Sequence, residues 1–129
     1  MVKKLFVVIF VFLSFFTTKV VALEPDIFVQ STVNRASKLL SEDISKEKKI
    51  TELKLIAKDT VDIEGISFYT LGSIRKNLNE SDKITYLQLF EKYFLKSFSS
   101  RLAEYTNPEI DVFGKEVLNE NYTIVNSTL

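Results

Sequence analysis

The sequence predicts an α+β fold in which the helices come first and a short antiparallel sheet follows. Apolar residues recur every three or four positions from about residue 25 to Tyr105, which is the spacing of amphipathic helices. After Pro108 the composition changes to Val, Ile, Thr and aromatic residues in two short runs, which is typical of strands. A helical part and a β-rich part are therefore expected within one small domain.

Residues 1–22 are typical of a cleavable secretory signal peptide. Residues 1–4 are short and basic, residues 5–16 are apolar except for Ser14, and small side chains end at Ala22. The apolar run is much shorter than a membrane-spanning helix, which needs about 20 residues. An uncleaved anchor is the alternative, but Lys19 would interrupt it. We expect an exported chain whose mature domain is residues 23–129.

Charge and cysteine content limit the partners and the compartment. Without Lys3, Lys4 and Lys19, the 17 basic residues fall to 14 against 17 acidic residues, so the formal charge of the mature chain is −3. This balance argues against nucleic acid as a partner. The chain also has no Cys, so packing alone must hold the domain together. A bacterial periplasm suits such a chain better than an animal extracellular space.

Periodicity and capping residues place the elements along the mature chain. Gly72 suits a helix end at which φ becomes positive, and Asn79 begins a segment with the side chains of a helix N-cap. Asn119, Glu120 and Asn121 separate the two β-rich runs as the turn of a hairpin would. We predict helices over residues 25–40, 46–58 and 82–105, a short buried helix or turn over 60–71, a helical turn over 73–78, and strands over 110–118 and 122–129.

The available side chains make catalysis an unfavourable interpretation. The chain has no His and no Cys, which removes the usual ligands of zinc and haem and the commonest general base. Asp59, Asp62 and Glu64 lie close together, but the spacing of a Ca²⁺ loop is missing, so we interpret them as solvated acids at a helix end. We predict that the protein is not an enzyme and uses neither a metal nor a cofactor.

Bulky aromatic residues concentrate in two neighbouring segments. Phe90, Phe94 and Phe98 recur at intervals of four along the longest predicted helix, and Phe68 and Tyr69 lie in the preceding one. Each can be a core residue. As a group they offer more apolar surface than one layer of helices covers, and a lipid cavity would use that surface.

The order of the segments resembles the MlaC family of periplasmic phospholipid-binding proteins, also called the toluene-tolerance family. The resemblance covers nearly all of the mature chain and depends on the order and spacing of its motifs. The matching residues are Pro25-Asp26-Ile27-Phe28-Val29, Val61-Asp62, Leu71-Gly72, Tyr86-Leu87-Gln88-Leu89-Phe90, Tyr93-Phe94, Tyr105, Val112 and Tyr122-Thr123-Ile124-Val125-Asn126-Ser127.

The chain also departs from the pattern of this family. Proteins similar to it usually carry a bulky aromatic residue shortly after the Leu-Gly pair, where this chain has Ser73, Ile74 and Arg75. The family continues with further strands and a closing helix beyond the segment that matches Tyr122 to Ser127. We therefore expect a form truncated at its C-terminus, with only the first two strands of the sheet.

The resemblance implies an NTF2-like fold, in which helices pack on a curved antiparallel sheet and hold lipid tails between the two layers. It implies a carrier in an intermembrane lipid-transport system, with a phospholipid ligand and two partners: an ABC transporter complex of the inner membrane and a lipoprotein complex of the outer membrane. The expected lipid-binding residues are Phe68, Tyr69, Leu87, Phe90, Phe94, Phe98, Val112 and Ile124.

Two other interpretations stay open. A small exported protein-interaction module would use the same Phe-rich helix as anchors in the groove of a partner, without a lipid ligand. An NTF2-like enzyme is the more distant alternative, since the acid and base that such an enzyme needs have no convincing candidates in this sequence.

Overall fold

The computed structural model describes residues 23–129, so the predicted signal peptide lies outside the described residues. Within these residues, four helices, one 3₁₀ helix and a two-stranded antiparallel sheet follow one another, which confirms the α+β class. No helix within residues 23–129 is long and apolar enough to cross a membrane. The elements are α1 (Pro25–Ser41), α2 (Lys46–Thr60), α3 (Ile63–Leu71), the 3₁₀ helix (Gly72–Lys76), α4 (Glu80–Leu102), β1 (Asp111–Asn119) and β2 (Tyr122–Thr128).

Polar side chains cap the N-termini of three of the four helices within residues 23–129. Ser45 Oγ accepts a hydrogen bond from the Lys48 backbone N–H, Asp62 accepts one from Gly65, and Asn79 accepts one from Asp82. Each bond satisfies an N–H group that has no partner within its helix. The N-cap was predicted within residues 79–82, and Asn79 is the residue of this segment that caps the helix.

Several element bounds differ from the prediction by a few residues. The segment 60–71 is helical only from Ile63, because Val61 is extended and Asp62 acts as the N-cap. The helix α4 begins at Glu80 and ends at Leu102, whereas the prediction was residues 82–105. Gly72 has a φ of 56°, which confirms the predicted helix end, because L side chains rarely adopt such a φ.

The helices pack against one another around two small clusters of buried side chains. The helix α2 contacts both α1 and α4, while α3 packs against α4. Ser67 and Ser99 are fully buried, and each hydroxyl donates a hydrogen bond to a carbonyl of its own helix. The first cluster contains Leu39, Leu40, Leu53 and Ile56, and the second contains Ala57, Ile63 and Leu95.

The two predicted strands form a hairpin that contacts α1. Lys115 lies opposite Val125, and Val117 lies opposite Thr123. A bulge between Val112 and Lys115 contains Gly114 at a φ of 68°, a conformation that favours glycine. The face that carries Lys115 and Val125 is turned toward α1, because Lys115 forms ion pairs at the start of that helix.

Candidate functional site

Four stacked rings run along one side of α4. Tyr86, Phe90, Phe94 and Phe98 are spaced by four residues, and we call them the aromatic ladder. Their successive ring centroids are 6.0, 6.1 and 5.6 Å apart, with interplanar angles of 28°, 15° and 12°. Residues four apart lie on the same face of a helix, which brings the rings together.

The aromatic ladder is only half-buried. Phe90, Phe94 and Phe98 pack against the cluster that contains Ala57 and Leu95, yet each ring keeps part of its surface in contact with solvent. The Tyr86 hydroxyl and Thr70 Oγ1 are hydrogen-bonded at 2.9 Å, which ties the first ring to the end of α3. The ladder is therefore a fixed apolar surface with an uncovered side.

The other predicted lining residues of the helical part have different surroundings. Phe68 on α3 and Leu87 on α4 are half-buried. Tyr69 is 83% exposed, whereas the residues that α3 buries are Ile63 and Ser67. Phe68 and Leu87 thus resemble the ladder in burial, whereas Tyr69 does not.

The two predicted lining residues of the hairpin lie on opposite faces. Val112 is opposite Ser127, and Ile124 is opposite Glu116. Directly opposed residues of two strands share a face of the sheet, and successive residues of one strand point to alternate faces. Ser127 and Ile124 are three positions apart, so they point to different faces. Val112 shares the face of Lys115 and Val125, which is turned toward α1. Ile124 is 45% exposed on the outer face. One cavity between the hairpin and the helices can therefore use Val112 but not Ile124.

A further apolar pocket was not predicted from the sequence. It has a volume of about 300 Å³ and lies between α1, the end of α4 and the end of β2. None of the eight predicted lining residues belongs to it. The apolar periodicity of α1 indicated the part of this lining that comes from α1. The contact between α1 and the chain around Pro108 could not be predicted from residues close in sequence. The pocket is lined by Val33, Ala36, Leu40, Leu102, Tyr105, Pro108, Ile110, Ser127, Thr128 and Leu129.

Two of the three acids considered for chemistry, Asp59 and Asp62, have structural contacts. Asp59 accepts a hydrogen bond from the Arg35 guanidinium at 3.3 Å, and Asp62 caps α3. Within residues 23–129 no group of three or more acids could hold a metal ion.

One cluster of charges joins the hairpin to the start of α1. Lys115 Nζ donates to Glu24 Oε2 at 2.7 Å and to Asp26 Oδ1 at 2.8 Å, and we call these three residues the charge clamp. The hydrogen bond from Lys115 lowers the pKa of Asp26 below its usual value. The hydrogen bonds that Lys115 donates to Asp26 and then to Glu24 raise the pKa of Lys115. The two acids also lie where a helix N-terminus favours negative charge.

Comparison with known proteins identifies the family. A family model described as MlaC protein matches residues 30–129, which include most of α1 and every later element. No curated protein and no solved structure matches the chain at the significance required. Since the match covers far more than half of the sequence, the chain belongs to the MlaC family.

Proposed function

We propose that this protein is a periplasmic phospholipid-binding carrier in an intermembrane lipid-transport system. Membership of the MlaC family supports the proposal at the level of the family. The half-buried aromatic ladder is the observation that carries it for this chain, because a carrier needs fixed apolar surface that is not consumed by its own core.

The energy of lipid exposure explains why such a surface is needed. Two acyl chains with about 15 methylene groups each, at about 0.8 kcal/mol per methylene, cost roughly 24 kcal/mol to expose to water. A carrier must therefore cover most of both tails. Between Tyr86 and Phe98 the helix α4 rises by about 18 Å, so the ladder offers a long surface for a tail.

The pocket next to α1 adds a second place for apolar groups. Its volume of about 300 Å³ is at the lower end of the about 300–1,000 Å³ of ligand pockets. It suits the end of one tail rather than two whole tails. We therefore propose that Leu40 and Tyr105, which line this pocket, contribute to lipid binding together with Phe90, Phe94 and Phe98.

The remaining predicted lining residues form two groups, which differ in burial and in the contact with lipid that we propose for them. Phe68, Leu87 and Val112 are half-buried, which suits contact with a tail. Tyr69 and Ile124 are exposed and would reach lipid only at an outer surface. The head group would stay in water, and an inner-membrane ABC transporter complex and an outer-membrane lipoprotein complex are the proposed partners. The role proposed is carriage, without catalysis.

The experiment compares two aromatic residues that differ in burial. Binding of a fluorescent phospholipid to residues 23–129 is measured for the wild type, for Phe94→Ala and for the control Tyr69→Ala. Loss of the Phe94 ring removes contact area from the centre of the ladder, so we expect binding to weaken by about tenfold, which corresponds to about 1.4 kcal/mol. We expect less than about a twofold change for Tyr69→Ala. Equal affinities of the wild type and Phe94→Ala would contradict the proposed site.

A second candidate function is a module that binds another protein. Leu89 and Tyr93 are exposed on α4 at a spacing of four residues, beside the aromatic ladder. Such a pair suits the groove of a partner protein. A stable, lipid-free complex that is lost in Tyr93→Ala but kept in Phe94→Ala would favour this candidate.

A further inference from the structure

The two parts of α4 differ in charge. Residues 80–92 of this helix contain three acidic side chains, whereas residues 93–102 contain none and carry Lys96 and Arg101. Both of these basic side chains are exposed. The second part of α4 therefore presents two positive charges with no negative neighbour on the same part of the helix.

Arg101 ends a row of residues that runs beside the aromatic ladder. The row consists of Leu89, Tyr93, Ser97 and Arg101, each of which follows a residue of the ladder by three positions. Residues three and four apart are neighbours on the surface of a helix, so the row and the ladder lie side by side. Leu89 and Tyr93 are 63% and 70% exposed. Along this row the surface changes from apolar and aromatic to polar and positive.

An open pocket lies where the row becomes polar. It has a volume of about 350 Å³ and is lined by Tyr93, Lys96, Ser97, Ser100 and Arg101. Long side chains of a helix lean toward its N-terminus, so Lys96 and Arg101 cover the turn around Tyr93 and Ser97 rather than the end of the helix. The two serine hydroxyls can each donate a hydrogen bond. The pocket thus combines two cations and two hydroxyl donors next to an aromatic ring.

We propose that this pocket binds the phosphate group of a phospholipid whose tail lies along the aromatic ladder, an inference that rests on the proposed function. The guanidinium of Arg101 matches two phosphate oxygens, and Lys96 adds a compact positive charge. With the phosphate at Arg101, a tail on the ladder runs from Phe98 toward Tyr86. The head group stays at the surface, in contact with water, and the pocket fixes the direction in which the lipid lies.

The opposite end of the ladder is less suited to a phosphate. Near Tyr86, the first turn of α4 contains Glu80 and Asp82. These two acids already complement the positive end of the helix dipole, and their charges would repel a phosphate. The distribution of charge along α4 therefore favours one orientation of the lipid over the other.

The apolar surface beside the pocket is the reason for a lipid as the source of the phosphate. A free phosphate would contact only the two cations and the two hydroxyls. An amphiphilic ligand would also contact the ladder and the exposed side chains of Leu89 and Tyr93, which lie next to the pocket. Each additional apolar contact removes surface from water and strengthens binding.

Two fluorescent lipids with the same tails test this proposal: phosphatidylglycerol, which has the phosphate, and diacylglycerol, which lacks it. Their binding to residues 23–129 is measured for the wild type and for the double variant Lys96→Gln with Arg101→Gln. We expect the wild type to prefer phosphatidylglycerol by at least about tenfold and the double variant to lose this preference. The preference of the wild type should also decrease as salt is added, because salt screens exposed charges. Phe94→Ala should weaken the binding of both lipids.

The matched control removes the same two kinds of charge near the other end of the ladder. Arg75 and Lys76 are exposed on the 3₁₀ helix. This helix follows α3, whose Thr70 is hydrogen-bonded to Tyr86. The double variant Arg75→Gln with Lys76→Gln should keep the preference for phosphatidylglycerol. Circular dichroism verifies that both double variants keep the wild-type helix content.

The possible outcomes separate this proposal from the proposed function. Equal affinity of the wild type for the two lipids would overturn the phosphate site and leave lipid carriage intact. A preference that survives in Lys96→Gln with Arg101→Gln, or that is lost equally in both double variants, would also overturn it. A wild type that binds neither lipid would contradict the proposed function and this proposal together. Inorganic phosphate that shifts the NMR signals of Ser97 and Arg101, when neither lipid does, would replace the lipid by free phosphate.

Discussion

The helical layer and the hairpin are both rich in apolar residues, yet they are stabilised in different ways. The helices bury two clusters, in which Leu53 is fully inaccessible to solvent. In the hairpin, which lies wholly within the described part of the chain, no residue of either strand is buried. Its position depends on half-buried contacts with α1 and on the charge clamp. Apolar content alone therefore does not show where the core lies.

The largest expected effect comes from a cavity in the helical layer. Leu53→Ala removes a side chain that is 0% exposed, so we expect a loss of about 2–5 kcal/mol in the free energy of unfolding. Leu55, on the same helix, is 52% exposed, so Leu55→Ala should cost less than about 1 kcal/mol. Thermal unfolding followed by circular dichroism measures both. Similar losses in the two variants would contradict the assignment of the core to one side of α2.

A smaller effect is expected at the start of α4. Asn79 Oδ1 accepts a hydrogen bond from the Asp82 N–H at 2.8 Å, and Asn79→Ala removes this bond. N-cap losses cost about 1 kcal/mol of stability. Urea unfolding should detect it, and Asn79→Asp, which keeps an acceptor, should recover most of the loss. No difference between the two variants would show that the cap does not stabilise the helix.

The third prediction separates the hairpin from the helices. Lys115→Gln removes the charge that holds Glu24 and Asp26, so the hairpin should loosen from α1. We expect amide hydrogen exchange in β1 and β2 to become several-fold faster and exchange in α2 and α4 to stay unchanged. Lys92→Gln, an exposed lysine on α4, is the control. Faster exchange throughout the chain would show that the two regions unfold together.

The smallest effect is a pH dependence of hairpin docking. The pKa of Asp26 is lowered in the folded protein. The contribution of the Asp26 carboxylate to hairpin docking is therefore present above the unfolded pKa of about 3.9 and is lost as the pH falls through the lowered pKa. The pKa of Lys115 is raised in the folded protein. The contribution of the Lys115 ammonium group to hairpin docking is therefore complete below the unfolded pKa of about 10.4 and is lost as the pH rises through the raised pKa. Docking should thus be strongest between about pH 4 and pH 10.

Methyl NMR can follow this pH dependence in one sample. Val125 shares the face of Lys115. As the pH approaches either limit of the range, the methyl signals of Val125 should therefore change before those of Leu53 do. In Lys115→Gln the early shift of Val125 should disappear. Simultaneous shifts of Val125 and Leu53 would contradict a separate docking step.

Much of the fold could be predicted from local signals. The apolar period predicted three of the helices within residues 23–129 and left residues 60–71 as a helix or a turn. The polar turn at residues 119–121 predicted the hairpin with nearly the observed bounds. The ring spacing along α4 indicated the aromatic ladder. These features depend on residues close in sequence, whose geometry is set by the helix or strand itself.

The other parts of the candidate site depend on distant contacts. Val112 and Ile124 lie on opposite faces of the hairpin because of the bulge and the strand register, which cannot be predicted from any single residue. The pocket near Tyr105 needs α1, α4 and β2 to meet. The charge clamp joins residues about 90 positions apart in sequence. Sequence patterns predict elements, but they do not specify such pairings.

Native mass spectrometry of residues 23–129, purified from a bacterial periplasm without detergent, tests lipid carriage most directly. The proposed function predicts a species heavier than the polypeptide by one phospholipid, which activation in the gas phase releases. Phe94→Ala should reduce the fraction of this species, and Tyr69→Ala should not. A folded wild-type protein that carries no lipid, even after incubation with phospholipid vesicles, would contradict the central claim that this chain is a phospholipid carrier.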